Sequence, residues 1–152
     1  MKKLVSILLL LLTGLVSTKA QNQQQDPVKI ESKTLISGDT LTLKIDFNVQ
    51  EDWMVYDSLA DDRGPIPLSF KNDAVLNMEL IKINKPKTKH KYDDIFEVDL
   101  WYFTNKVSYE LCFKILDANI PVSGTILLEY MSCNLTSGVC LPPKLVDVPV
   151  TM

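Results

Sequence analysis

From Val28 onward the apolar positions recur with a period of two. The clearest run is Thr40-Leu41-Thr42-Leu43-Lys44-Ile45-Asp46-Phe47-Asn48-Val49, in which every second side chain is apolar. A strand with one buried face must look this way. Ser37-Gly38-Asp39 supplies turn chemistry just before it, which predicts two neighbouring strands over 28–36 and 40–49 joined by a tight connection. Further strand-length runs follow at 53–58, 66–70, 75–84, 95–102, 107–115, 124–131 and 144–151. Between them lie Asp61-Asp62-Arg63-Gly64-Pro65, Lys71-Asn72-Asp73, Lys85-Pro86-Lys87, Thr104-Asn105-Lys106 and Ser123-Gly124, all rich in residues that break strands or favour turns. No long helical period survives, and there is no internal repeat. The pattern predicts an all-β chain folded as an immunoglobulin-like two-sheet antiparallel β-sandwich, with an OB-like or other barrel as the alternative. The immunoglobulin hallmark of two distant cysteines flanking a tryptophan is absent.

The start of the chain departs from this pattern. Lys2 and Lys3, the apolar run Leu4 to Leu12 and the small-residue site Thr18-Lys19-Ala20 read as a cleaved signal peptide over residues 1–20. The run is shorter than the roughly 20 residues that span a bilayer, and Gly14, Ser17 and Thr18 interrupt its end. Residues 21–27, Gln-Asn-Gln-Gln-Gln-Asp-Pro, read as a disordered leader. Residues 28–152 then form one domain of ordinary size, periplasmic or secreted and monomeric. The formal net charge is −3, and loss of Lys2, Lys3 and Lys19 with the signal makes the remainder more acidic. That balance argues against a nucleic-acid or anionic-membrane partner.

Candidate chemistry narrows by elimination. The single histidine, His90, lies in the basic run Lys85 to Lys91 and reads as a solvated surface residue. No histidine-based metal cluster, Gly-x-Ser-x-Gly elbow, phosphate loop or dinucleotide fingerprint is present, so no cofactor or metal is expected. Three cysteines in an exported chain imply one disulfide and one leftover thiol. Cys133 and Cys140 stand at the ends of a short polar loop after a strand, and Gly138 can supply the reversal that brings them together. Closing so short a ring stabilises by only about 2.5 kcal/mol on the chain-entropy model, a weak return for a structural staple. Thiol exchange, the other reading, needs an accessible sulfur, an available thiolate and a resolving cysteine. No cationic residue flanks either cysteine before Lys144, so the sequence gives no reason for a strongly lowered thiol pKa. Both readings stand on spacing alone. Alternation places Cys112 on the face opposite Val107, Tyr109, Leu111, Phe113 and Ile115, as the unpaired thiol. The sequon Asn134-Leu135-Thr136 falls inside the cysteine loop and reads as chance.

The segment Tyr130-Met131-Ser132-Cys133 through Cys140-Leu141-Pro142-Pro143 resembles the N-terminal periplasmic domain of the thiol:disulfide interchange protein DsbD. Asp52-Trp53-Met54-Val55-Tyr56 looks like that family's aromatic strand near the active site, and Lys91-Tyr92-Asp93-Asp94-Ile95-Phe96 like its acidic-aromatic cap segment. The resemblance implies an immunoglobulin-like thiol-disulfide oxidoreductase domain. Cys140 would form mixed disulfides with partners and Cys133 would resolve them. Ile95 and Phe96 would shield the sulfurs, and Asp93, Asp94 and Tyr56 would be supporting groups. Implied partners are thioredoxin-like redox proteins and a membrane electron-transfer protein, both supplied as separate chains. Two departures stand out: six residues separate the cysteines where the best-known members have five, and Glu97 occupies a position where glycine is common. The competing expectations are a non-enzymatic β-sandwich binding module using Trp53, Trp101 or Tyr102, and an assembly subunit docking through a strand edge.

Overall fold

The computed structural model describes residues 26–150. The expected signal peptide, residues 21–25 of the expected leader and the end of the last predicted strand lie outside the described residues. Asp26 and Pro27, read as the end of that leader, are instead fastened to the domain. The Asp26 carboxylate accepts from the Val28 amide at 2.8 Å and the Tyr130 hydroxyl at 2.7 Å, and pairs with Lys144. Pro27 O accepts from the Gln50 amide.

Eleven strands follow in order: β1 (Val28–Ser37), β2 (Thr40–Val49), β3 (Trp53–Leu59), β4 (Ser69–Leu76), β5 (Met78–Asn84), β6 (Lys89–Asp93), β7 (Val98–Phe103), β8 (Lys106–Ile115), β9 (Ser123–Tyr130), β10 (Ser132–Asn134) and β11 (Lys144–Val150). The described residues contain no helix, and the expectation of an all-β antiparallel fold holds. The strands group into three sheets rather than two: β1-β2-β8-β5, β10-β3-β7-β6 and β11-β9-β4. The third arises because the predicted strand over 124–131 breaks at Met131, so that β9 pairs with β11 and β4 while its continuation β10 pairs with β3. One main core nevertheless takes side chains from all three sheets, including Leu41, Leu43, Ile45, Phe47, Val55, Phe103, Tyr109, Leu111, Phe113, Ile126 and Leu128. Phe47, Phe103 and Tyr109 meet edge-on or tilted at its centre, with ring centroids 5.3 to 5.8 Å apart.

Further boundaries differ from the sequence reading: the strand expected from 95 begins only at Val98, after a turn over 94–97. Lys71-Asn72-Asp73, expected as a turn, lies inside β4, where a register shift against β9 absorbs it. The break comes instead at Asn77, whose backbone is left-handed (φ 60°) and whose side-chain amide donates to the carbonyls of Asp117 and Ile120. Asparagine tolerates that conformation better than most residues. The basic run before Tyr92 contains β6, which the sequence reading missed. β6 is an edge strand paired only with β7, so its Lys-His-Lys stretch stays wet and shows no hydrophobic alternation.

The second sheet is covered on both faces. Val55 and Phe103 point into the main core, while Met54, Tyr56 and Leu100 belong to a smaller cluster on the opposite face, with Leu59, Tyr102 and Met131 packed against it. That smaller cluster contains Cys133.

Candidate functional site

β10 lies beside β3 with Cys133 opposite Met54, which sets the first sulfur over the smaller cluster at 1 % exposure. The chain then reverses and brings Cys140 directly opposite Cys133 as an isolated antiparallel bridge. The Asn134 amide donates to Val139 O at 2.8 Å and the Leu141 amide to Ser132 O at 2.9 Å. The cysteines therefore form the pair lying between two ladder bonds, where opposed side chains come closest. Their Cα atoms are 4.0 Å apart and the sulfurs are joined in a disulfide. Cys140 is exposed where Cys133 is buried. Cys112 is unpaired and half-buried on β8.

The loop is organised by its own first residue. Asn134 Oδ1 accepts from the amides of Thr136 (3.1 Å) and Ser137 (2.8 Å) and from the Ser137 hydroxyl (3.0 Å). Gly138 takes φ 71°, and its amide donates to Asn134 O. The Leu135 amide donates to Asp52 O, tying the loop to the β2–β3 turn. An asparagine two residues before Thr-Ser-Gly is a turn signal in its own right. Read only as a sequon, that signal goes unused.

Tyr56 lies in the sulfur cluster at 2 % exposure. Burial, and then the Asp93 carboxylate, push its phenol up to about 12. Asp93 closes β6, and its Oδ1 accepts from the amides of Ile95 (3.1 Å) and Phe96 (3.2 Å), so this carboxylate shapes the turn that carries both residues. Lys91 pairs with its other oxygen at 3.5 Å and lies 5.9 Å from the centre of the Tyr102 ring. Asp94 is exposed. Ile95 is 88 % exposed. Phe96 is 40 % exposed, with its ring beside Gly64, close to Leu59 and Val98. Glu97 adopts a left-handed φ of 55°. The turn thus demands the conformation that glycine takes without strain.

The three aromatic residues considered for a binding surface are each half-buried. Trp53 packs against the main core, Tyr102 against the sulfur cluster, and Trp101 against the His90 ring at 5.1 Å. His90 Nε2 lies 2.7 Å from Asp99 Oδ1. No group of three or more potential metal-ligating side chains occurs among the described residues, and no helix among them is long and apolar enough to cross a membrane. The buried Asp57, next to Tyr56, is a site-adjacent residue that the sequence reading missed.

Fold and site together define an all-β antiparallel domain whose sulfur pair is half buried and half presented to solvent. The family model described as "Thiol:disulfide interchange protein DsbD, N-terminal" matches residues 20–150, and the chain belongs to that family. Among solved structures, it is similar to the DsbD N-terminal domain of Neisseria meningitidis in the reduced form. The two are 16 % identical, with 82 % of this chain and 84 % of that one covered and a TM-score of 0.49. No curated protein matches the chain.

Proposed function

We propose that this chain is a thiol-disulfide interchange domain of the cell envelope, relaying reducing equivalents through Cys133 and Cys140. The observation that carries the reading is the unequal exposure of two bonded sulfurs in a family defined by this chemistry. In the dithiol form, the Cys140 thiolate attacks a partner disulfide. A Cys140–partner bond forms, and the partner's second sulfur leaves as a thiolate. Cys133 then attacks the Cys140 sulfur, the mixed disulfide breaks, and the partner departs as a dithiol. Two electrons and two protons have passed to it, and the chain is left with the Cys133–Cys140 disulfide. A thioredoxin-like protein, itself reduced by a membrane electron-transfer protein, reverses these steps.

Unequal exposure supports these roles: a partner reaches Cys140 directly, whereas Cys133, buried beside Met54 and Tyr56, attacks only its neighbour. The exposed loop 134–139 carries no charge, so a partner meets no ionic barrier there. Asp93, whose charge acts on Tyr56 in the cluster around Cys133, disfavours additional negative charge there, which suits a carrier of low intrinsic reactivity. Phe96, packed near Leu59 of the sulfur cluster, and the exposed Ile95 offer apolar surface that a docking partner covers. The signal-like start of the sequence and the family together support a periplasmic or secreted location.

The test uses reduced Cys133→Ser and Cys140→Ser variants mixed with an oxidised thioredoxin. Cys133→Ser should accumulate a mixed disulfide through Cys140, and Cys140→Ser should transfer nothing. Full transfer by Cys140→Ser would sink the assignment.

A further inference from the structure

Asp57 is a carboxylate at 5 % exposure, one residue beyond Tyr56. An isolated charge in such a place is expensive, and here it is matched on every side. The Tyr109 hydroxyl donates to Oδ1 at 2.5 Å, the Ser58 hydroxyl to Oδ2 at 3.0 Å, and Lys85 Nζ lies 3.3 to 3.4 Å from both oxygens. Tyr109 belongs to β8 in the main core and Lys85 follows β5, so three elements converge on this carboxylate.

Asp57 is also the extra residue of a β-bulge. Tyr56 pairs with Tyr102 and Ser58 with Trp101, so β3 advances two residues while β7 advances one. A bulge of this kind reverses the side-chain alternation beyond it. Before the bulge, Met54 and Tyr56 face the sulfur cluster. After it, Leu59 pairs with Leu100 and joins the same cluster. In unbroken alternation Ser58 would take that place, setting a hydroxyl among the apolar groups around Cys133.

We propose that Asp57 is a positioning residue of the site: held by Tyr109 and Lys85, it pins the bulge that brings Tyr56 and Leu59 together in the cluster burying Cys133. The assignment deepens the reading of this chain as a thiol-disulfide interchange domain and rests on it. The clamp keeps the resolving sulfur hidden from everything except Cys140. Replacement of a buried ion pair by apolar groups is frequently neutral or stabilising, so fold stability alone gives little reason to find a carboxylate here.

The experiment is alkylation of the reduced protein by iodoacetamide, with mass spectrometry following Cys112, Cys133 and Cys140 separately. Cys112, half-buried on the face of β8 opposite Tyr109, reports any wider opening that reaches this strand. The variants are Tyr109→Phe, which removes only the hydroxyl, Asp57→Leu, and Asp57→Asn, which keeps an acceptor for Tyr109. Loss of a hydrogen bond to a charged group corresponds to about a tenfold rise in local opening. Cys133 alkylation should therefore rise about tenfold in Tyr109→Phe and Asp57→Leu, and by less in Asp57→Asn, which keeps the Tyr109 acceptor and loses only the charge pairing with Lys85. Cys112 and Cys140 should keep their rates. An unchanged Cys133 rate in Tyr109→Phe would overturn the proposal, as would a parallel rise at Cys112, which marks opening of the whole core. Should Asp57→Leu fail to fold, Tyr109→Phe decides. Shielding is read without any exchange partner, so this result is separable from the test of the site's redox role.

Discussion

Reduction of the Cys133–Cys140 bond should leave the domain folded. Its sequence separation of 7 makes the closed ring short. On the chain-entropy account, opening a ring of about eight residues costs roughly 2.5 kcal/mol. The main core contains neither cysteine of the pair, and the loop is held independently by the Asn134 side chain and by Leu135 bonded to Asp52 O. For a domain of this size the loss corresponds to a fall in Tm of about 10 °C. Parallel guanidinium titrations of the oxidised and fully reduced protein, followed by tryptophan fluorescence, would measure it. Two cooperative transitions with similar slopes, the reduced one displaced by about 2.5 kcal/mol, are expected. Loss of the folded baseline on reduction, or a difference above about 5 kcal/mol, would refute the reasoning and make the bond an essential staple.

Glu97→Gly should stabilise the protein by up to about 1 kcal/mol by relieving the left-handed backbone at φ 55°, and Glu97→Val should do the reverse, as denaturation midpoints would show. Asn134→Ala removes three hydrogen bonds from the cysteine loop. If they favour the closed loop by about 1–2 kcal/mol, the couple becomes easier to reduce by roughly 20–40 mV in glutathione buffers. Burial raises the phenol of Tyr56 to about 12, and burial with a carboxylate partner drives Tyr109 and Tyr130 in the same direction. Folded phenols raised above the unfolded value give stability that is complete below about pH 10 and lost as pH climbs past it. Unfolding should therefore set in on the alkaline side, with phenolate absorbance and circular dichroism changing together. Ionisation of all three phenols near pH 10 in a still-folded protein would contradict this.

Alternation made β2 and β8 readable from sequence, because one face of each lies fully in the main core and the other does not. The same regularity put Cys112 off the core face, and the short polar loop with Gly138 brought Cys133 and Cys140 together. β6 was illegible because an edge strand has no buried face to advertise. The turn expected at Lys71-Asn72-Asp73 was misplaced because polar residues suit a bulge as well as a reversal, and nothing local distinguishes the two. Asp57 was invisible for a deeper reason. A buried carboxylate depends on Tyr109 and Lys85, which are distant in sequence, and no local pattern records partners that folding brings together. The resemblance named Tyr56, Asp93 and the cap, and the fold shows what connects them: Asp93 shapes the turn of Ile95 and Phe96 while its charge acts on the Tyr56 phenol.

The most direct measurement is a redox titration of the protein in glutathione or dithiothreitol buffers, with alkylation and mass spectrometry reporting each cysteine separately. A reversible Cys133–Cys140 couple at about −180 to −270 mV, with Cys112 reduced throughout, is predicted for an interchange domain. A bond that persists below roughly −300 mV would mark a structural staple and contradict the account.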